Sequence, residues 1–261
     1  MVFYFTGTGN SLYIAKELES TPISIPQIMG REDFTFTADR IGIVCPIYGH
    51  EMPAMVKEFL QKAVFHTDYF YVVLTYGNRH ANAVELADAA IERAGKRADY
   101  ITTLLMVDNF LPAFDMEEQE SLDKRVEEQL ASIRSDIWAK KAGRQTVTAE
   151  DREAHRQYVE RVKGQPETIW ASYLVTDACI GCGICTRVCP AGCIRLAHQK
   201  AVHMLERCQA CMACIHACPK LAMMLAPPMR EPNPRARYRN RHVSLTELVA
   251  ANDQTDIASI L

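Results

Sequence analysis

The sequence predicts an α/β protein: an open, doubly wound parallel sheet, a helical extension and a small α+β domain built around cysteines. Two observations carry this prediction. Apolar runs alternate with helical stripes over the first hundred or so residues, and nine of the ten cysteines lie between Cys179 and Cys218. The 261 residues are 48% hydrophobic and 23% charged, values typical of a globular protein that buries a core.

Charge and hydropathy exclude several classes of protein. A net charge of −3, from 29 basic and 32 acidic residues, gives no overall basic field for nucleic acid. No apolar run approaches the roughly 18 residues that a membrane span needs. Residues 1–6 lack a positively charged leader, so we expect a cytoplasmic protein without a secretory signal. Nothing in these counts indicates the oligomeric state.

Short apolar runs predict the strands of the sheet. They cover residues 1–6, 41–45, 69–75 and 100–107, with a weaker strand at 23–25. Apolar residues at helical spacing over 52–63 and 84–94 predict helices between these strands. Strands that alternate with helices indicate a parallel sheet with helices on both of its faces.

Charged, helical sequence follows Pro112. One apolar stripe predicts a helix, and Thr148–Asp151 forms a capping box that opens another, which Gly164 closes. A further capping signal at Ser244–Glu247 predicts a short helix after five arginines between Arg230 and Arg241. The members of the apolar stripe are Leu122, Val126, Leu130, Ile133 and Ile137.

Two copies of one cysteine pattern stand 29 residues apart. The first is Cys179, Cys182, Cys185 and Cys189 followed by Pro190; the second is Cys208, Cys211, Cys214 and Cys218 followed by Pro219. In a reducing compartment such dense cysteines indicate metal ligands rather than disulfides. Zinc is the alternative metal, because paired C-x2-C motifs build tetrahedral thiolate sites, although such a site has no use for the third cysteine of each run.

The two cysteines outside this pattern are interpreted as packing residues. Cys193 lies four residues after Cys189, and its counterpart in the second copy is Ala222. An alanine at that place indicates that the geometry does not require a ligand there. Cys193 and the isolated Cys45 are therefore predicted to be small buried side chains.

The cysteine pattern resembles that of bacterial ferredoxins with two 4Fe-4S clusters, over about fifty residues. The resemblance implies crossed ligation, with one cluster held by Cys179, Cys182, Cys185 and Cys218 and the other by Cys208, Cys211, Cys214 and Cys189. Residues 175–225 carry five basic and two acidic side chains, an excess of +3 that would partly offset the negative charge of the clusters.

A glycine-rich loop follows the first predicted strand and precedes a helical pattern. Its glycines let several backbone N–H groups converge on an anion, and its hydroxyls add donors. A Walker A loop is excluded because Gly-Lys-[Ser/Thr] is absent, and a dinucleotide loop is excluded because Leu12 replaces the third glycine. A structural turn without ligand is the alternative. The loop consists of Thr6, Gly7, Thr8, Gly9, Asn10 and Ser11.

The loop resembles the phosphate loop of flavodoxins, T-x-T-G-x-[ST]. That resemblance implies a flavodoxin-like sheet of strand order 2-1-3-4-5 and an FMN whose ring lies at the carboxyl ends of the strands. Two loops that follow predicted strands are expected to contact the ring, unless they are ordinary surface loops. They contain Pro46, Ile47, Tyr48 and Gly49, and Tyr76, Gly77 and Asn78.

Together the motifs resemble the flavodoxin–ferredoxin fusion proteins of anaerobic bacteria and archaea. The expected domains are a flavodoxin-like domain (1–145), a helical linker (146–174), a ferredoxin-like domain (175–226) and an Arg-rich tail (227–261). The expected function is electron transfer between FMN and two 4Fe-4S clusters, with no separate catalytic residues and a redox partner that the sequence does not identify. One alternative is a flavin-dependent reductase. The other is a module that docks on an oxidoreductase through the arginines of the tail.

Overall fold

The fold is that of a computed structural model, which describes residues 1–165 and 169–255. They form two compact units whose segments alternate along the chain. The first contains Met1–Phe5, Ser11–Met106 and Asp123–Gln165; the second contains Thr6–Asn10, Val107–Leu122 and the described part of 166–261. The predicted domain boundaries stay predictions. Residues 166–168 of the expected linker and 256–261 of the expected tail lie outside the described residues.

A six-stranded parallel sheet forms the first unit. In chain order the strands of this unit are β1 (Val2–Tyr4), β2 (Ile23–Ser24), β3 (Thr35–Thr37), β4 (Arg40–Pro46), β5 (Val64–His66), β6 (Tyr69–Tyr76), β7 (Tyr100–Leu105) and β8 (Gly143–Arg144). The large sheet has the order β2-β1-β4-β6-β7-β8, with every neighbouring pair parallel, and β3 and β5 form a separate parallel pair. Strand β6 is buried along nearly its whole length, which explains its continuous apolar sequence.

The apolar stripes over 52–63 and 84–94, which predicted two helices of this unit, are largely buried. The helices of this unit are α1 (Asn10–Leu18), α2 (Ile25–Ile28), α3 (Ala54–Lys62), α4 (Ala83–Arg93), α6 (Val126–Trp138) and α7 (Ala149–Val162). In α3, Val56, Phe59 and Leu60 are fully buried. The capping box of α7 is confirmed, since Thr148 Oγ1 accepts the Asp151 N–H and Asp151 caps Thr148 in return.

The predicted helix that included Leu122 was wrong at its start. A short helix, α5 (Met116–Ser121), ends before Leu122, whose side chain is 49% exposed, and α6 begins only at Val126. Arg125 lies between them in the left-handed conformation (φ 50°), with its N–H bonded to Asp123 Oδ1. A local turn therefore interrupts the apolar spacing that predicted one continuous helix.

The second unit contains a duplicated cysteine-rich fold. Its remaining elements are a 3-10 turn (Ile169–Ala171), β9 (Tyr173–Val175), α8 (Ile184–Arg187), β10 (Ile194–Ala197), β11 (Lys200–His203), α9 (Ala213–His216), β12 (Met223–Leu225) and α10 (Leu245–Asn252). Strands β9 and β12 pair antiparallel, as do β10 and β11. Helix α9 repeats α8 at the 29-residue spacing of the cysteines. The predicted capped helix after Ser244 is confirmed as α10.

None of the helices in 1–165 and 169–255 is both long and apolar enough to cross a membrane.

Candidate functional site

One cavity in the second unit is lined by cysteines from both runs. Cys179, Cys182 and Cys185 of the first run line it together with Cys218 of the second. We refer to it as the first cysteine cavity. Gly181 and Gly183 have positive φ of 67° and 75°, which turns the chain so that α8 begins directly after them.

A second cysteine cavity repeats this arrangement. It is lined by Cys208, Cys211 and Cys214 of the second run together with Cys189 of the first. The positions of the two glycines are taken by Ala210 and Met212, which also have positive φ, of 51° and 57°. The loop geometry is therefore kept in the second repeat, with left-handed backbone in residues that carry a Cβ.

Backbone N–H groups point at cysteine sulfurs in the same way in both repeats. The Ala222 N–H donates to Cys218 Sγ over 3.2 Å, and the Cys193 N–H donates to Cys189 Sγ over 3.2 Å. The thiol of Cys193 is buried and donates to the Glu206 carbonyl oxygen over 3.1 Å. At this position the backbone N–H makes the bond to the cysteine sulfur in both repeats. The interpretation of Cys193 as a packed, non-ligating side chain stays a prediction.

Burial and hydrogen bonding shift the thiols in opposite directions. Burial raises the pKa of Cys185 to about 11 and raises the pKa of Cys211 and Cys214 further. Hydrogen bonding to Cys193 lowers the pKa of Cys189 and of Cys208. Iron binds the thiolate, so loading the buried cysteines would release protons.

The donor set fits an iron–sulfur cluster. Each cavity is lined by four cysteines, whose sulfurs can serve as thiolate ligands. Within the described ranges, no three Cys, His, Asp or Glu side chains come close enough together to hold a single metal ion. Ligands of a cuboidal four-iron cluster stand farther apart than ligands of one ion, since each binds a different iron.

Residues Thr6–Asn10 of the glycine-rich loop lie in the same unit as the cysteines, and two of the loop's hydroxyls accept hydrogen bonds from protein donors. Thr6 Oγ1 accepts the Gly9 N–H over 3.1 Å, and Thr8 Oγ1 accepts from Asn109 Nδ2 over 2.6 Å. A hydroxyl that accepts a hydrogen bond keeps its own proton to donate, as a phosphate requires. This donor chemistry fits a phosphate. All six residues from Thr6 to Ser11 are nonetheless buried.

Residues near the end of the chain cover this loop, which the sequence did not predict. Asn10 Oδ1 accepts from Tyr238 Oη over 2.6 Å and from Asn240 Nδ2 over 3.1 Å. The Asn240 N–H donates to the Thr8 carbonyl over 2.9 Å. A Cβ at Gly9, which has φ 103°, would lie 3.1 Å from the Cβ atoms of Asn240 and Val243. No local pattern in the Arg-rich tail signals these contacts, because the partners are more than 200 residues apart.

Two hydrogen-bonded bridges connect the loop to the cysteine runs. Asn252 is fully buried, and its Nδ2 donates to the carbonyls of Thr6 (3.0 Å) and of Val188 (3.3 Å), the neighbour of Cys189. His216, between Cys214 and Cys218, accepts the Tyr238 N–H at Nδ1 and so donates from Nε2 to the Asn109 carbonyl, both over 3.0 Å. These bonds fix His216 as the neutral Nε2–H tautomer, and burial lowers its pKa to about 4.

The loops predicted for a flavin ring follow β4 and β6 in the first unit. The first, at Pro46, Ile47, Tyr48 and Gly49, includes a tight turn in which the Tyr48 N–H and the Glu51 carbonyl are 2.8 Å apart. Helix α7 packs on this turn: the Tyr158 ring lies 4.8 Å from that of His50, and a Cβ on Gly49 would meet Tyr158 Oη at 2.6 Å. No pattern in the sequence signals this contact.

The second of these loops holds Tyr76, Gly77 and Asn78. The Tyr76 ring is half-buried and packs edge-on against His80, with 5.1 Å between ring centroids. Lys124 Nζ donates to the Gly77 carbonyl over 3.1 Å, which occupies one of the acceptors that a flavin edge would use. The assignment of these seven residues to a flavin stays a prediction.

Comparison with known proteins supports iron–sulfur clusters in the cysteine-rich part of the chain. Residues 171–219 match the family described as a 4Fe-4S dicluster domain. The chain is also 47% identical over 47 residues to one of the subunits of the ion-translocating oxidoreductase complex of Methanosarcina acetivorans. That similarity spans 18% of this chain and 18% of the relative.

Proposed function

We propose that the chain is an electron-transfer protein with two 4Fe-4S clusters, one in each cysteine cavity, and FMN at the loop from Thr6 to Ser11. An iron–sulfur electron-transfer function is supported by the dicluster match and by the similarity to a subunit of an oxidoreductase complex. The observation that carries the proposal is that each cavity combines three cysteines of one run with the fourth of the other.

The residues proposed as ligands follow from that combination. Cys179, Cys182, Cys185 and Cys218 would hold one cluster, and Cys208, Cys211, Cys214 and Cys189 the other. When bound, each cluster takes up and gives up single electrons. The N–H groups of Ala222 and Cys193 would stabilise negative charge on the ligand sulfurs, and burial of Cys189 and Cys214 would keep water away.

The FMN part has its own support. The large sheet has six strands, and without its edge strand β8 the remaining five, numbered in chain order, run 2-1-3-4-5; we propose that these five form a flavodoxin-like sheet. The hydroxyls of Thr6 and Thr8 accept protein N–H groups and keep their protons for a phosphate. The burial of the whole loop argues against free exchange of a phosphate there, so a flavin assay decides this part.

The test is the cofactor content of protein purified without oxygen. We expect about eight iron ions per chain with the broad visible absorption of iron–sulfur proteins, overlaid by one flavin. Zinc in place of iron would refute the cluster proposal. Iron without flavin would refute the FMN part and leave the clusters standing.

We also propose that FMN and the clusters exchange electrons within one chain. In rapid-mixing experiments, flavin reduction should then follow cluster reduction at a rate independent of protein concentration. A rate that rises linearly with concentration would show transfer between molecules and would refute this part.

A further inference from the structure

The two cysteine cavities differ in their exposure. Cys182 of the first cavity is exposed and its other three cysteines are half-buried. In the second cavity Cys189 and Cys214 are buried, while Cys208 and Cys211 are half-buried. A redox centre exchanges electrons with a partner from the side on which it approaches the surface, which favours the first cavity.

Exposed apolar side chains lie at the first cavity. Ile180 is 60% exposed and Leu196 is 45% exposed, and both line it. The internal repeat shows that this is not required by the fold. The counterpart of Ile180 at the 29-residue spacing is the polar Gln209, and the counterpart of Leu196 is Leu225, which is 4% exposed. Large apolar side chains exposed together beside a cavity are typical of a surface that a partner covers.

Positive charge accompanies these apolar residues. Lys220 also lines the first cavity, whereas its counterpart in the other repeat is Ala191. The carboxylate of Asp177 is paired with Lys200 Nζ at 2.9 Å. A protein with acidic side chains around its own redox centre would complement this surface in charge.

We propose that Ile180, Leu196 and Lys220, the docking rim, form the surface on which an acidic redox protein exchanges electrons with the cluster of the first cavity. The proposal rests on the proposed function, since it requires a cluster there. In one exchange the reduced cluster loses one electron and the oxidised centre of the partner gains it. No bond forms or breaks, and no proton needs to move.

The experiment uses two protein probes that both accept one electron but differ in charge. Cluster-loaded protein, reduced photochemically, is mixed in a stopped-flow instrument with acidic Cu(II) plastocyanin or with basic ferric cytochrome c. We expect the plastocyanin rate constant to fall about tenfold as ionic strength is raised, because salt screens the attraction. The cytochrome c rate constant should stay constant or rise. The opposite dependence for plastocyanin would overturn the proposal.

Variants then locate the surface. Ile180→Glu and Leu196→Glu should each lower the plastocyanin rate constant about tenfold, and Lys220→Gln severalfold. The control is Val64→Glu, at a 49% exposed residue of β5, which should not change it. Equal rates in wild type and all three rim variants would refute the proposal, as would an equal loss in Val64→Glu.

Two further measurements separate docking from damage. The small acceptor hydroxymethylferrocenium should oxidise wild type and rim variants at the same rate. If a glutamate variant has lost its cluster, the plastocyanin rate constant of Lys220→Gln, which adds no bulk, decides whether the rim is the docking surface. Binding is read separately, from line broadening of ¹⁵N-labelled Cu(I) plastocyanin on addition of the protein. The broadening should disappear in the rim variants, and its persistence there would refute the rim. A chain that contains no iron would instead refute the proposed function.

Discussion

The backbone N–H of Ala222 donates to the sulfur of Cys218, and the N–H of Cys193, 29 residues earlier, donates to the sulfur of Cys189 over the same 3.2 Å. Hydrogen bonds to ligand sulfurs are one of the means by which proteins set cluster potentials. Because the main chain supplies this bond in both repeats, the side chain at the position is free to differ. Alanine fills it in one repeat and cysteine in the other.

Replacing Cys193 by alanine should therefore leave both clusters in place. The variant keeps the N–H bond to Cys189 and loses the thiol bond to the Glu206 carbonyl, which should cost about 1 kcal/mol of unfolding free energy. Iron and sulfide assays on protein purified without oxygen measure the outcome. Loss of one cluster's iron in Cys193→Ala would show that Cys193 is a ligand.

The composition of the two cavities predicts which cluster each cysteine variant damages. Cys218→Ser should impair the cluster of Cys179, Cys182 and Cys185, although Cys218 belongs to the same run as Cys214. Cys189→Ser should impair the cluster of the second cavity. The measurement is electron paramagnetic resonance of the reduced variants compared with Cys182→Ser and Cys211→Ser. Matching spectra for Cys218→Ser and Cys211→Ser would contradict crossed ligation.

Equivalent loop positions should respond oppositely to substitution. A Cβ at Gly181 would collide with the Gln199 carbonyl, and φ there is 67°, so Gly181→Ala should destabilise the protein and impair cluster assembly. Its counterpart Ala210 already has φ 51°, and Ala210→Gly should relieve left-handed strain worth about 1 kcal/mol. Thermal unfolding of both variants tests this pair. Destabilisation by Ala210→Gly would mean that the strain is smaller than the entropy lost by glycine.

His50 makes the first unit sensitive to acid. Burial, followed by the nearby charges of His155 and Arg79, lowers the pKa of His50 from 6.5 to about 4. An unfolded chain would protonate this histidine near pH 6.5, whereas the folded chain stays neutral until about pH 4. The unfolded state therefore binds more protons between these values, and stability falls as pH falls through that window.

His50→Gln should flatten that dependence. Chemical unfolding at pH 7 and pH 5 would measure it, with His66→Gln, on β5, as the matched histidine control. An unchanged loss of stability in His50→Gln would assign the acid sensitivity to other groups.

The parts of the fold that the sequence predicted are those in which burial leaves a local pattern. Strands β4 and β6 are buried along most of their length and therefore appear as continuous apolar runs. Strand β8 was not predicted because it consists of two exposed residues, Gly143 and Arg144, which pair with β7 and bury no apolar side chain. The break at Leu122 was not predicted because a left-handed residue, Arg125, does not change the spacing of apolar residues.

The same distinction holds for the candidate site. The cysteine runs were recognisable because three of the four cysteines around each cavity come from one short loop, which requires fixed spacing. Tyr238, Asn240 and Asn252 reach the glycine-rich loop from the far end of the chain, and the Tyr238–Asn10 bond joins residues 228 apart. A polar residue that acts over such a separation leaves no periodicity in the sequence.

Asn252 should be the most sensitive of these residues. Its side chain is fully buried and donates both to the Thr6 carbonyl and to the Val188 carbonyl, so Asn252→Ala would leave two carbonyl oxygens with a lost donor. An unsatisfied buried group costs about 1–3 kcal/mol, so we expect a loss of about 2–4 kcal/mol in unfolding free energy. Asn252→Asp should be no better, because it removes the amide donor and buries a carboxyl group.

The control is Thr246→Ala on the exposed face of α10, which should change stability little. Denaturant unfolding of anaerobic, cluster-loaded protein gives the stability, and the rate of iron release to a chelator reports separately on the second cysteine cavity. Because Val188 adjoins Cys189, iron release should be faster in Asn252→Ala than in Tyr238→Phe, which loses the bond to Asn10 and leaves the bond to Val188 in place. Equal rates of iron release in these two variants would show that the bond to Val188 does not stabilise the cavity.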